Sequence, residues 1–156
     1  MDCDLRRPQV HERVGLKDQP GLSDLLALND CDVNPFISSV GNLLVMPGGN
    51  HLSDPALLTS RRMREILARL QEEFELIVFD SPPIVPIADS YLLSGLADGV
   101  ILVIRARQTR RELLQLAVES FGATNILGVV LNDVEYGNTP YAHAYQYYQR
   151  HYMSRR

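Results

Sequence analysis

Two carboxylates one residue apart, followed at once by two guanidiniums, stand at the head of the chain as Asp2-Cys3-Asp4-Leu5-Arg6-Arg7-Pro8. Carboxylates so placed can position a metal or take a proton, and arginines beside them can hold phosphate, so the run suits a Mg²⁺-nucleotide site. A second acid, Asp80, closes the apolar run Leu76-Ile77-Val78-Phe79 and is followed by Ser81-Pro82-Pro83. Six of the seven tyrosines lie in the last stretch of chain: Tyr136, Tyr141, Tyr145, Tyr147, Tyr148 and Tyr152. A Gly-x-x-x-x-Gly-Lys-Ser/Thr phosphate loop does not occur in the sequence. Its only lysine, Lys17, sits in Val14-Gly15-Leu16-Lys17-Asp18.

The elements that must position these residues alternate between apolar runs and helical stretches from about residue 40 to 132, as in an α/β domain with a parallel sheet. Leu43 to Met46 reads as a short buried strand stopped by Pro47-Gly48-Gly49. Pro55 suits a first helical turn after Ser53 or Asp54 as cap, and Met63, Ile66, Leu67, Leu70 and Phe74 follow at helical spacing. Leu76 to Phe79 lacks polar interruption and is predicted to be buried on both faces. A short helix over 89–96, a buried strand over 99–104, and a helix capped by Thr109 come next. That helix turns Leu113, Leu114, Ala117, Val118 and Phe121 inward, and a last strand runs from Ile126 to Asn132. Before residue 40 only a short helix capped by Ser23 is expected, and no strand. Beyond Asn132 the periodicity stops, and Gly137, Asn138 and Pro140 break any element, so the tail is expected to be mobile.

At 156 residues and 46% apolar content the chain can bury the core of one domain. A net charge of −4 with interspersed signs argues against nucleic acid as a partner. The basic side is almost all arginine, which suits bidentate phosphate contacts and equally suits a compositional origin. Cys3 and Cys31 have neither metal-ligand spacing nor a disulfide framework, so a reducing cytoplasm is the natural compartment. Neither a membrane-length apolar run nor signal-peptide character is present.

Asp2 and Asp4 are expected at a strand's C-terminal end, where open α/β sheets place ligands. Alternate strand residues face opposite ways, so the two converge only if a turn begins at Asp4. The plainer alternative is a frayed, solvated terminus. For Asp80 the plainer alternative is a strand-end turn.

The run Asp2 to Pro8 resembles the second nucleotide-site motif (Walker A′) of the bacterial tyrosine kinases, or BY-kinases. The likeness extends through Gly21-Leu22-Ser23-Asp24-Leu25-Leu26, Leu52 to Ser60, the Walker B-like Leu76 to Pro83, Asp98 to Val103, and Gly128-Val129-Val130-Leu131-Asn132. It implies a partial P-loop NTPase-like parallel sheet flanked by helices, with the first strand and the P-loop missing. Residues 1–132 would be the C-terminal part of the kinase domain and 133–156 a flexible tyrosine-rich tail.

By the same resemblance, Asp4 is the base toward a tyrosine hydroxyl, Asp2 the metal-side carboxylate, and Asp80 holds Mg²⁺ through water. Asn132 reaches the adenine of ATP, and Arg6 and Arg7 contact phosphate or substrate. The six tail tyrosines become autophosphorylation sites, each phosphate adding about two negative charges. An aromatic interaction patch is the blander reading of the tail. His143 and His151 in the tail have no acidic partners at metal-site spacing.

The implied activity is ATP-dependent tyrosine autophosphorylation regulating capsular or exopolysaccharide synthesis and export. Implied partners are further copies of the chain, a membrane activator domain or polysaccharide co-polymerase, and a tyrosine phosphatase. The implied place is the cytoplasm at the inner face of the plasma membrane, reached through a partner or an N-terminal region. The missing loop sets the chain apart from the family pattern, and a truncated product or a fragment is its simplest account. Alone the chain is expected to be inactive, with an exposed sheet edge or gap. Two competing functions remain: a partition or division ATPase of deviant-Walker type, and a non-catalytic phosphoacceptor or docking domain.

Overall fold

The helical face read from Met63, Ile66, Leu67 and Leu70 is the centre of the core in a computed structural model, which describes residues 1–16, 19–28, 32–49, 54–84, 89–121 and 126–134. Those four side chains project from one face of Arg61–Glu73 (α3) and are buried, each worth about 1.5–3 kcal/mol as an upper figure. The Ser60 hydroxyl accepts from the Met63 N–H and starts α3. Ahead of it a 3₁₀ turn, Pro55–Thr59, is capped by Asp54, whose carboxylate accepts from Ala56 N–H at 2.9 Å. Ser53, the other expected cap, lies outside the described residues. Phe74 closes α3 as its half-buried C-cap residue.

Val10–Arg13 (α1) and Leu22–Ala27 (α2) precede α3, and Leu22, Leu25 and Leu26 of α2 join its core. Ser23 does not cap α2 as expected. It lies buried inside the helix, and Asp24 instead accepts from the Gly21 N–H at 2.8 Å. A strand absent from the sequence reading, Ser38–Val40 (β1), forms an antiparallel hairpin with Leu43–Val45 (β2) around Gly41-Asn42. Gly41 takes φ +59°, which glycine adopts without strain. The pairing also corrects the expected burial of β2: Val45 is buried, while Leu43 and Leu44 are exposed.

Downstream, Asp89–Ser94 (α4) leads to Val100–Arg105 (β3), Arg111–Phe121 (α5) and Ile126–Asn132 (β4). β3 and β4 pair in parallel through the α5 crossover, from Val100 opposite Ile126 to Arg105 opposite Asn132, with an irregularity after Val100. Thr109 does not act as the expected cap of α5; its hydroxyl accepts from the Arg105 N–H at 2.9 Å. Ala117 and Phe121 face inward as expected, Leu114 is half-buried, and Leu113 and Val118 keep more than a third of their surface exposed.

Burial on both faces, expected of the apolar runs, is not what the structure shows. Leu76 is 80% exposed, Val78 66%, Ile101 59% and Val103 63%. Only one face of each run meets the core, through Ile77, Phe79 and Leu102. The run before Asp80 has too few partners to form a ladder. Among the described residues its backbone pairs with residues 1–3, through Met1 N donating to Val78 O at 2.8 Å, Asp80 N to Met1 O at 2.9 Å, and Cys3 N to Asp80 O at 2.7 Å. The other edge of residues 1–3 bonds to Met46, whose carbonyl accepts from Asp2 N–H. Of the predicted tail, 133–156, residues 135–156 lie outside the described residues.

Candidate active site

A single parallel bridge, Asp2 opposite Asp80, brings the head of the chain to the Walker B-like run. Asp2 is fully buried. Its Oδ1 accepts from Asp4 N–H at 3.1 Å, and its Oδ2 accepts from Gln9 N–H and Val10 N–H, each at 3.0 Å. One carboxylate therefore gathers the loop between residues 4 and 10 around itself, leaving about one of its four acceptor positions unfilled. Burial holds the Asp2 carboxyl above the usual carboxylate range; the backbone N–H bonds oppose that rise, and the charge of Asp80 adds to it.

The turn needed for Asp2 and Asp4 to converge is present. Arg7 N–H donates to both the carbonyl of Asp4 at 3.2 Å and its Oδ1 at 3.0 Å. This leaves Asp4 half-buried, Leu5 in the core, and Arg6 and Arg7 on the outside. The terminus is not frayed in this arrangement. Gly48 backs the loop closely: a Cβ there would lie 2.4 Å from the Pro8 Cβ and 3.4 Å from the Asp2 Cγ. Gly48 O in turn accepts from Ser23 N–H, so the Pro47-Gly48-Gly49 strand stop also ties α2 to the site.

Arg6 Nε donates to Asp89 Oδ2 at 2.8 Å. The bond and charge of Asp89 raise the Arg6 pKa further above its ordinary value, with Asp54 and Asp4 adding smaller contributions. The next residue, Ser90, donates from its hydroxyl to the carbonyl of Pro82, two residues past Asp80. Asp80 itself is exposed. Cys3, between the two acids, is a free buried thiol pushed up to about 12, first by burial and then by the charges of Asp2 and Asp80, against the opposing N-terminal charge.

Asp2, Asp4, Asp80 and Arg6 are thus tied into one network, with Arg7 at its rim. Asn132 belongs to a different one, at the end of β4. Its Oδ1 accepts from Asp133 N–H, and Asp133 is paired with Arg105 at 2.6 Å. The tyrosines Tyr136, Tyr141, Tyr145, Tyr147, Tyr148 and Tyr152 lie outside the described residues. The sequence reading missed Asp89, Ser90 and Gly48. An acid opening a helix is ordinarily explained by the helix dipole, so Asp89 carried no distinguishing signal.

The residue types suit a hard cation: Asp80 is exposed and Asp4 half-exposed, so each leaves carboxylate oxygen open to solvent. Among the described residues, no group of three acidic, cysteine or histidine ligands converges to hold a metal alone. Mg²⁺ is commonly held by one or two carboxylates, with water and substrate phosphate completing its shell. A triphosphate fits less well, since the sequence has no Gly-rich loop of the Walker A type to cradle it. Among the described residues, no helix is long and apolar enough to cross a membrane.

No family model matches the chain. It is 32% identical over 136 residues to the tyrosine-protein kinase YwqD of Bacillus subtilis (strain 168), a match covering 85% of this chain and 57% of that protein. It is 29% identical over 161 aligned positions to the tyrosine-protein kinase Wzc of Salmonella typhimurium, covering 99% of this chain and 22% of that protein. The chain therefore spans little more than half of one relative and about a fifth of the other. The crystal structure of the VpsO kinase domain superposes with a TM-score of 0.79 at 33% identity, over 86% of this chain and 68% of that one. With its α/β arrangement of parallel strands flanked by helices, a partial P-loop NTPase-like fold, the chain belongs to the bacterial tyrosine kinases.

Proposed function

We propose that the chain supplies the acidic half of the active site, and the acceptor tail, of an ATP-dependent protein-tyrosine autokinase. Its cellular role is regulation of capsular or exopolysaccharide synthesis and export. The observation that carries this reading is the Asp2–Asp80 bridge, which unites the Asp-x-Asp loop with the acid ending the Leu76–Phe79 run. The names of the relatives support the kinase class.

Within this reading Asp4 takes the proton of the acceptor tyrosine, and Asp80 holds Mg²⁺ through water. Mg²⁺, when bound, neutralises negative charge on the phosphates. Asp2 chiefly shapes the loop through its three backbone donors; the metal-side part assigned to it would use its remaining acceptor position. Arg6 and Arg7 hold phosphate or substrate, and Asn132 receives the adenine. Residues 1–132 then form one functional unit, and 133–156 a tail whose six tyrosines accept phosphate from neighbouring copies. A membrane activator domain, a polysaccharide co-polymerase and a tyrosine phosphatase are the proposed partners, at the inner face of the plasma membrane.

The phosphate cradle must come from a segment outside these 156 residues. The chain by itself is therefore expected to bind ATP-Mg²⁺ very weakly and not to label itself. Joined to a segment bearing Gly-x-x-x-x-Gly-Lys-Ser/Thr, it should incorporate phosphate from labelled ATP into tyrosine. Strong tyrosine labelling of the chain alone, or none in the joined protein, would overturn the proposal.

A further inference from the structure

The first turn of α4 touches both loops that carry the candidate acids. Asp89 bonds Arg6, two residues beyond Asp4, and Ser90 bonds the carbonyl of Pro82, two residues beyond Asp80. Both α4 residues are buried, which fixes their side chains by packing as well as by hydrogen bonds. The Asp89 side chain is 10% exposed and the Arg6 side chain 53%, so the acid is the anchored partner and the guanidinium the presented one.

The atom used is informative. Asp89 takes Arg6 through Nε, and a guanidinium has two further nitrogens in the same rigid plane. Holding one edge of that plane aims the other without consuming it. The surrounding charges are Asp54 and Asp4, both acting on Arg6 more weakly than Asp89 does. Set among three acids beside the turn that starts at Asp4, Arg6 can offer a phosphate there directed N–H donors rather than a net positive field.

We propose that Asp89 is a positioning residue: it holds Arg6 by Nε so that the two Nη nitrogens face a phosphate group beside Asp4. The assignment rests on the kinase reading for its substrate class, a nucleoside polyphosphate. It requires no titration of either partner. Lysine in place of Arg6 has three donors on one freely rotating ammonium, but no rigid plane that Asp89 could hold by one edge while the other is aimed at the phosphate.

The test begins with the chain itself and inorganic tripolyphosphate as the probe, followed through the Arg6 Nε–H resonance. Titration should shift that resonance in the unsubstituted chain, and Asp89→Asn should raise the midpoint about tenfold, as expected when a charge-assisted contact loses its alignment. Arg6→Lys should raise the midpoint of shifts in the neighbouring amides to a similar degree. A thermal melt checks folding. If Asp89→Asn does not fold, Asp89→Glu keeps the charge with a longer reach, and its midpoint should fall between the two. An Arg6 resonance unmoved by the probe, or equal midpoints with and without Asp89, overturns the proposal.

The kinetic arm uses the intact kinase. Asp89→Asn and Arg6→Ala should each raise the nucleotide KM or lower kcat, and the double variant should lose no more than Arg6→Ala alone. Additive losses would mean that Asp89 acts apart from Arg6 and would also overturn the proposal. If no form transfers phosphate while the tripolyphosphate coupling persists, the kinase reading falls and the Asp89–Arg6 assignment stands.

Discussion

Asp2 and Asp80 face each other across one parallel bridge, yet only Asp80 is open to solvent. Two acids brought together from distant parts of the chain are thereby given different environments. One spends its oxygens on the N–H groups of Asp4, Gln9 and Val10, and the other is left free for a cation.

The acids are expected to separate in their kinetics. In the intact kinase, Asp4→Asn should lower phosphate transfer by about 10²–10⁴-fold, the usual contribution of a general base, with nucleotide affinity little changed. Asp80→Asn should weaken Mg²⁺-dependent nucleotide binding as well. Isothermal titration beside initial rates checks both, and equal effects on binding would remove the division of roles.

Replacing Asp2 is expected to cost stability before it costs chemistry. Asp2→Ala leaves three backbone N–H groups without their acceptor, so a loss of about 2–4 kcal/mol in urea unfolding is expected, with a milder loss for Asp2→Asn. Asp2 holds its proton to higher pH in the folded chain than in the unfolded one, whose value is near 3.8. Its protonation thus favours the fold most below that value, and this contribution is lost as pH rises through the raised folded value. The difference in stability between wild type and Asp2→Asn should change with pH across that window; a flat difference would contradict the raised pKa.

Cys3 should be inert while the chain is folded. A thiol pushed up to about 12 has almost no thiolate at pH 8, and the side chain is fully buried. In a Cys31→Ser background, a chromogenic disulfide reagent at pH 8 should label Cys3 only at the slow rate at which the pairing of residues 1–3 opens, and fully in urea. Rapid labelling of the native chain would count against this packing.

Gly48→Ala should disturb the loop more than its size suggests. The added methyl group would overlap the Pro8 Cβ and crowd Asp2, for a loss of about 1–3 kcal/mol. Gly128→Ala, where the same methyl group meets nothing within 4 Å, is the matched control and should be nearly neutral. Similar melting temperatures for the two variants would refute the contact.

Helical periodicity was enough to read α3 and α5 from the sequence, which are long enough to show a repeat, and unbroken apolar runs were enough to read β3 and β4. β1 escaped because Ser38-Ser39-Val40 has one apolar residue. The two-residue Gly41-Asn42 loop before Leu43 was the signal that could have found it. Burial was misjudged for Leu76, Val78, Ile101 and Val103, since an apolar run tells which faces can be covered, not which are. Within the site, the acids and arginines were legible as a motif. Their partners Asp89 and Gly48 were not, because a lone acid at a helix start and a glycine after a strand look ordinary in sequence.

The pairing of residues 1–3 with 78–80 also bears on the order in which the molecule assembles. β3 and β4 meet through one helix, a short loop in chain terms. The bridge that creates the site, by contrast, must close almost the whole first half of the chain, and such closures come late and open early. The candidate acids are therefore expected to sit on the last cooperative unit to form. Amides of Asp2, Cys3 and Asp80 should exchange with solvent well before those of α3, and moderate destabilisation anywhere in the first half would dismantle the site while much of the secondary structure remained.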